Sequence, residues 1–411
     1  MKFALVGLDT RTAEIAQAVA AAGDHRLACV YLDAGAGDLD RRAVEPLGAP
    51  VICGSPNADG FARLWETRPD VIVLAARQDA AALIHDVRQL AQLDLPIVVS
   101  HPVNHSAMVY YELEMLVQNS KSILLPYLPL RWHPAVQQLS EQVAGAAVGG
   151  DGQRLGRLEQ ITLDRTIRQS TRSELLDLFA ADVDLVRTLA GDITDVAAMH
   201  SAADDQLPLP LNVQMTAQHA VLVRWSLTAV DQSPGGQLTL AGSRGSLRLR
   251  MADAQDWQWV SLDPEGEGDV LQTWPSPGPG QQNLERLVQR LEAVAHDPHA
   301  SQPAWQDASR GVEVLEALEK SLRKRRLVHL SYEGRGEEEA FKGTMASLGC
   351  GLLLALMLLT VVAGIGLKLA KEQGLDRLAA LLAKIPHVAL GLMIVFLLMQ
   401  LLRVVIPDKK K

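Results

Sequence analysis

Residues 98–106 read VVSHPVNHS and place His101 and His105 four positions apart, directly after an apolar run. Imidazoles at that spacing share one face of a helix, which raises metal binding or proton transfer as the chemistry. Pro102 stands between them and no cysteine or carboxylate cluster is near, so a third ligand is missing and no metal site is expected. The turn GLDTRT, residues 7–12, follows an apolar run and precedes a helical pattern. That is where a dinucleotide fold seats a pyrophosphate on closely spaced glycines. Gly7 supplies the first glycine, while Asp9 and Thr12 take the second and third places. A carboxylate at position 9 repels phosphate unless it turns away. It can instead cap the helix, and Arg11 can offset its charge. Asp33 closes the second apolar run, where an acid suits a ribose diol but is also an ordinary turn residue.

Alternating elements must position these groups. KFALVGL, RLACVYLD, DVIVLAA and PIVVS read as strands, and AEIAQAVAAAG and QDAAALIHDVRQLAQL as helices. Continuous apolar strands separated by helices predict a doubly wound parallel sheet over residues 1–125. From residue 126 to 332 the pattern changes. GRLEQITLDRTI, AVLVRWSLTAVD, GQLTLAGS, GSLRLRM and WQWVSLD read as strands of an open, mainly antiparallel sheet. A helix is expected near ELLDLFAADVDLVRTLAG, and two more at NLERLVQRLEAVAHD and ASRGVEVLEALEKSLRKR. Residues 333–344 read as a linker.

Residues 345–407 differ again. Met345 to Leu367 is a run without charge, and Val388 to Leu402 extends past Arg403 to Ile406. Each is long enough for a membrane-spanning helix, so a transmembrane hairpin is expected. Basic residues outside the pair favour a cytoplasmic C-terminus, and the short first strand without a cleavage site leaves the soluble domains cytoplasmic too. Spans without buried charge suit an anchor rather than a transport path. The chain of 411 residues carries a net charge of −9, which argues against nucleic acid as a partner. Three cysteines at unrelated spacings make neither a disulfide framework nor a zinc pattern.

Over residues 1–332 the ordered segments resemble the glucose–fructose oxidoreductase/inositol dehydrogenase (Gfo/Idh/MocA) family. FALVGLDTRTAEIAQAV is similar to its opening turn, and PIVVSHP stands where members read a strand ending in Glu-Lys-Pro. LPLRWHPAVQQL resembles the Arg-aromatic-x-Pro stretch that enters the second domain, and LTLAGSRGSLRL its Gly-x-x-Gly strand turn. The resemblance implies a Rossmann α/β domain that binds NAD or NADP through Gly7, Asp9, Arg11, Thr12, Asp33 and Pro102. It also implies an α+β domain that holds a sugar, cyclitol or related polyol. The family's lysine falls on His101, where an imidazole can replace it as base. Its Asp-x-Gly-x-His-x-x-Asp-Leu pattern falls on DLFAADVDL, so Asp177, Asp184 and Leu185 match while Phe179 and Ala181 replace the glycine and histidine. Catalysis then rests on His101, alone or with Asp184, and Arg131, His133 and Asp177 line the substrate cleft. The bland alternatives keep Asp177 as a helix-start acid, Asp184 as a partner of Arg187, and Arg131 and His133 in a packed connecting strand. Three functions follow: a membrane-anchored NAD(P)-linked oxidoreductase, a non-catalytic binding or scaffold relative, or an enzyme with retained cofactor that passes its product to a membrane partner. A homo-oligomer suits the open sheet.

Overall fold

The computed structural model describes residues 1–33, 42, 44–54, 58–118, 120–147, 155–168, 171–200, 209–231, 234–252, 256–262, 269–274, 281–297, 302–330, 358–360 and 362–369. Two compact units divide the chain at Ser331 and Tyr332. The first begins with β1 (Lys2–Val6), α1 (Thr10–Ala21), β2 (Arg26–Asp33), β3 (Val51–Gly54), α2 (Ala58–Glu66), β4 (Val71–Leu74), α3 (Ala80–Leu90), β5 (Pro96–Ser100), α4 (Ala107–Val117) and β6 (Ile123–Tyr127). These strands form one parallel sheet in the order β3-β2-β1-β4-β5-β6. All four residues of β4 are buried, as a parallel strand covered on both faces requires. The expected doubly wound sheet is therefore present. Gly7 turns the chain at φ +80°, and a Cβ there would lie 2.9 Å from the Ala75 Cβ, so a side chain fits neither the backbone nor the space.

Two helices, α5 (Pro129–Trp132) and α6 (Pro134–Ala147), then lead into the second sheet. The segment anticipated as a connecting strand is thus helical, because the prolines sit at first-turn positions that need no amide donor. The second sheet contains β7 (Leu158–Ile167), β8 (Ile193–His200), β9 (Leu211–Ala217), β10 (Leu222–Ala229), β11 (Gly235–Gly242), β12 (Gly245–Ala252), β13 (Trp257–Leu262), β14 (Val270–Trp274) and β15 (Val328–His329). Its order is β14-β13-β12-β11-β7-β10-β9-β8-β15, antiparallel except for the parallel β7–β10 pair. Strand β9 alternates buried and exposed positions, so one face meets the core and the other stays open.

α7 (Arg172–Ala190) covers the buried face. Thr171 and Glu174 close its N-terminus with a reciprocal capping box. Phe179, where the resemblance expects a glycine, is fully buried and meets the Trp225 ring edge-on at 5.1 Å. Asp182 is sealed below this contact, where it accepts bonds from Arg165 and, at 2.8 Å, from the Trp225 indole. The last helices, α8 (Gln281–His296) and α9 (Gln302–Lys324), return to the first sheet. Leu284, Leu287 and Leu291 of α8 pack in the same core as Phe3 and Ile15. Helix α9 spans both cores: Trp305, Ala308 and Val312 join the first, while Val314, Leu315 and Leu318 join the second.

Of the second unit, residues 358–360 and 362–369 are described and helical, and Leu358, Val362 and Ile365 are exposed there. Among the described residues no helix is long and apolar enough to cross a membrane. The second expected span, the linker and most of the first span lie outside the described residues.

Candidate functional site

The carboxyl ends of β1, β2, β4 and β5 meet where the strand order reverses, which is where an open parallel sheet binds ligands. Asp9 dominates this edge. Its Oδ1 accepts the Thr12 amide at 2.7 Å and its Oδ2 accepts the Ala76 amide at 2.6 Å. Thr12 in turn accepts the Asp9 amide at 2.8 Å, which completes a capping box. The positive end of the α1 dipole is thereby neutralised by the chain's own carboxylate. Arg11, in the same turn, is partly buried and forms no ion pair among the described residues.

Asp33 stands at the end of β2 as expected, but the Arg77 guanidinium grips its Oδ2 at 2.5 Å. Arg77 also lies 2.7 Å from Asp86, a carboxylate only 1% exposed whose oxygens have no aligned hydrogen bond. Burial pushes the Asp86 carboxyl up to about 6, against the pull of Arg77.

His101 is not available to a ligand. Its ring is 1% exposed, and Nδ1 lies 3.0 Å from the Tyr110 hydroxyl. That hydroxyl also accepts the Val103 amide at 2.9 Å, which fixes it beside the ring. Nε2 has no hydrogen-bond partner and faces α9, where a Cβ on Gly311 would lie 3.6 Å away. Burial, reinforced by Arg11, Arg131 and Arg187, holds this imidazole well below its ordinary value. The base role expected of His101 therefore has no access in this conformation: the residue is a neutral core group beside Tyr110 and Trp305. Pro102 follows it and is likewise buried.

Asp184 is also sealed. Its partner is Arg131, whose Nε donates at 2.7 Å, not Arg187. Arg187 reaches instead to Asp192 at 2.7 Å and Asp307 at 2.5 Å. Arg131 joins Asp307 as well, so α5, α7 and α9 are locked by one network of alternating charges. His133 is buried, with its ring 4.2 Å from that of Trp257.

Asp177 does reach the cleft, and its partner is His105, the second residue of the opening pair. His105 Nε2 lies 2.7 Å from Asp177 Oδ1, with both side chains partly exposed. One turn earlier on α7, Ser173 accepts from Gln78 Nε2 at 3.4 Å. These two bridges tie α7 to the loops after β4 and β5. Sequence spacing offered no sign of the His105–Asp177 pair, because the residues come together only when α7 docks over the sheet edge. No group of three metal-ligating side chains occurs among the described residues.

No family profile and no curated protein matches the chain. Solved structures do. A myo-inositol dehydrogenase from Corynebacterium glutamicum aligns over 80% of this chain and 99% of its own, with 16% identity and a TM-score of 0.60. An oxidoreductase from Agrobacterium radiobacter, crystallised with NAD+, L-tartaric acid and magnesium, covers 80% and 98% at 15% identity and a TM-score of 0.62. An aldose-aldose oxidoreductase from Caulobacter crescentus, complexed with glycerol, covers 80% and 99% at 16% identity and a TM-score of 0.62. At these identities the likeness shows the fold. It is the two-sheet fold that the ordered segments imply.

Proposed function

We propose that the protein is a relative of the NAD(P)-linked sugar and polyol oxidoreductases that keeps a cleft for a sugar- or polyol-like ligand and has given up the usual dinucleotide seat. The observation that carries this reading is Asp9, which occupies both the α1 amide and the Ala76 amide. A pyrophosphate binds to such free amides at a helix N-terminus. Here it meets a fixed negative charge, with the Thr12 and Ala76 amides already in use, and the ribose acid Asp33 is engaged by Arg77. The Asp9 carboxylate and the Arg77 clamp on Asp33 therefore oppose NAD or NADP in the ordinary mode. For the ligand, His105, Asp177, Gln78 and Ser173 offer a cluster of donors and acceptors suited to hydroxyl groups.

A working oxidoreductase is the second reading. It is favoured by the position of Asp33 and by solved relatives that carry nicotinamide cofactors. Titration of the full-length chain with NADH and NADPH, followed by nicotinamide fluorescence, separates the two. No saturable binding at millimolar concentration is expected, while inositol or a hexitol should raise the melting temperature and His105→Ala should abolish that shift. Saturable NADH binding would restore the oxidoreductase reading, and in that case the partly exposed His105–Asp177 pair is the acid–base couple placed to serve it.

We also propose that residues 345–407 anchor the chain in a membrane, with the remainder and the C-terminus cytoplasmic. The length and apolarity of the two runs support this, as do the exposed Leu358, Val362 and Ile365 on the described helix. In cells the chain should remain in the membrane pellet after alkaline carbonate extraction, and release into the supernatant would refute the anchor.

A further inference from the structure

A cavity of about 500 Å³ lies at the outer edge of β6, where α8 and α9 wrap around the first sheet. It lies at β6, two strands from β4 and three from β1, the strands on which the carboxyl-edge site is centred. Arg131, Arg290 and Arg310 line it, together with Trp132, Gln306 and Asp307. We infer that this cavity binds a small organic oxyanion, held by Arg290.

The charge balance is the reason. Asp307 gives one oxygen to Arg187 and the other to Arg131, so its charge is spent. Asp192 binds Arg187 and Arg310, and Asp184 binds Arg131. Arg131, Arg187 and Arg310 are thus each met by a carboxylate, and Arg290 is the cavity guanidinium left without one among the described residues. Among the described residues Arg290 has no hydrogen bond or ion pair. Partial desolvation and the nearby Arg131 hold its proton less firmly than usual, which is the electrostatic sign of a cation waiting for a counter-charge. A planar guanidinium matches a carboxylate or phosphate through two parallel bonds. The Trp132 indole offers an apolar wall, and Gln306 a neutral donor and acceptor, so the anion carries a carbon skeleton. The cavity volume is within the range of sites for small metabolites.

The test is calorimetric titration of the full-length chain, in neutral detergent and at fixed ionic strength, with succinate and separately with inorganic phosphate. Saturable binding of either is expected, weakened about tenfold or more by Arg290→Gln, the loss typical of a charged hydrogen bond. Arg290→Lys should keep part of the affinity. Tighter succinate binding would identify a carboxylate ligand, and tighter phosphate binding a phosphate ester. His105→Ala should leave both affinities unchanged, which separates this site from the cleft. Arg290 is on the surface of α8, so the Gln variant should melt with the wild type. The inference is overturned by the absence of saturable binding, or by equal binding to wild type and Arg290→Gln.

Discussion

Arg187→Leu should destabilise the fold by about 3–5 kcal/mol, the usual cost of removing one partner from a buried ion pair. Arg187 is buried, with its guanidinium bonded to the Asp307 carbonyl and carboxylate and to Asp192. Leucine restores apolar volume but leaves Asp307 and Asp192 each with one oxygen short of its partner, held only by Arg131 and Arg310. Burial pushes the Asp307 carboxyl up, yet Arg187 and Arg131 outweigh it and hold the group below its ordinary value. Losing Arg187 should therefore raise Asp307 and move the acid-unfolding limb to higher pH. Because the pairs join α7 to α9, and α9 reaches both cores, the loss should loosen the two sheets together. Urea unfolding followed by tryptophan fluorescence gives the measurement. A change below about 1 kcal/mol, the range of an exposed pair, would show that the network adds little. Arg187→Lys should fall between, since it keeps the charge and loses the planar fork.

Asp86→Asn should stabilise the protein at neutral pH, against the common expectation for breaking an ion pair. Burial raises the Asp86 carboxyl from its ordinary value to about 6 in the folded state, despite Arg77. The folded protein then binds a proton that the unfolded chain has already released between these two values. Stability must fall as pH rises through that window, and the penalty is fully present above pH 6. A shift of about two pH units corresponds to about 2–3 kcal/mol. Asparagine keeps the shape and removes the charge, while Arg77 keeps Asp33. The difference between wild type and variant should be largest at pH 7 and vanish near pH 4. A constant difference across that range would show that the 2.7 Å Arg77 contact fully compensates the burial.

No local pattern singled out Asp86, and Arg187 was named only as a partner of Asp184. What could be read along the chain was the sheet architecture. Uninterrupted apolar runs such as VIVL make strands buried on both faces, and their alternation with helices forces a parallel sheet with a binding edge at the strand ends. The alternation in LVRWSL similarly sets a sheet open on one side. Strands β3, β6, β8, β9 and β14 were not among the segments anticipated. The four-residue VICG is short, and LNVQMTA follows a polar stretch that masks its start.

The Asp9 cap was also within reach of sequence, because a helix-start aspartate with Thr three residues on encodes it locally. Its second bond, to Ala76, was not, since that amide arrives from the loop after β4. The opening histidines show the same division. VVSHPVNHS marks a loop after a buried strand, but a spacing of four cannot say which ring turns inward. Tertiary packing decides it: α9 seals His101 against Tyr110, and α7 brings Asp177 to His105. Local sequence determined the elements and the edge at which they meet. Contacts between residues far apart in the chain decided which side chains there are buried, paired or free to bind, because burial and charge pairing depend on what docks over a residue and not on its neighbours in sequence.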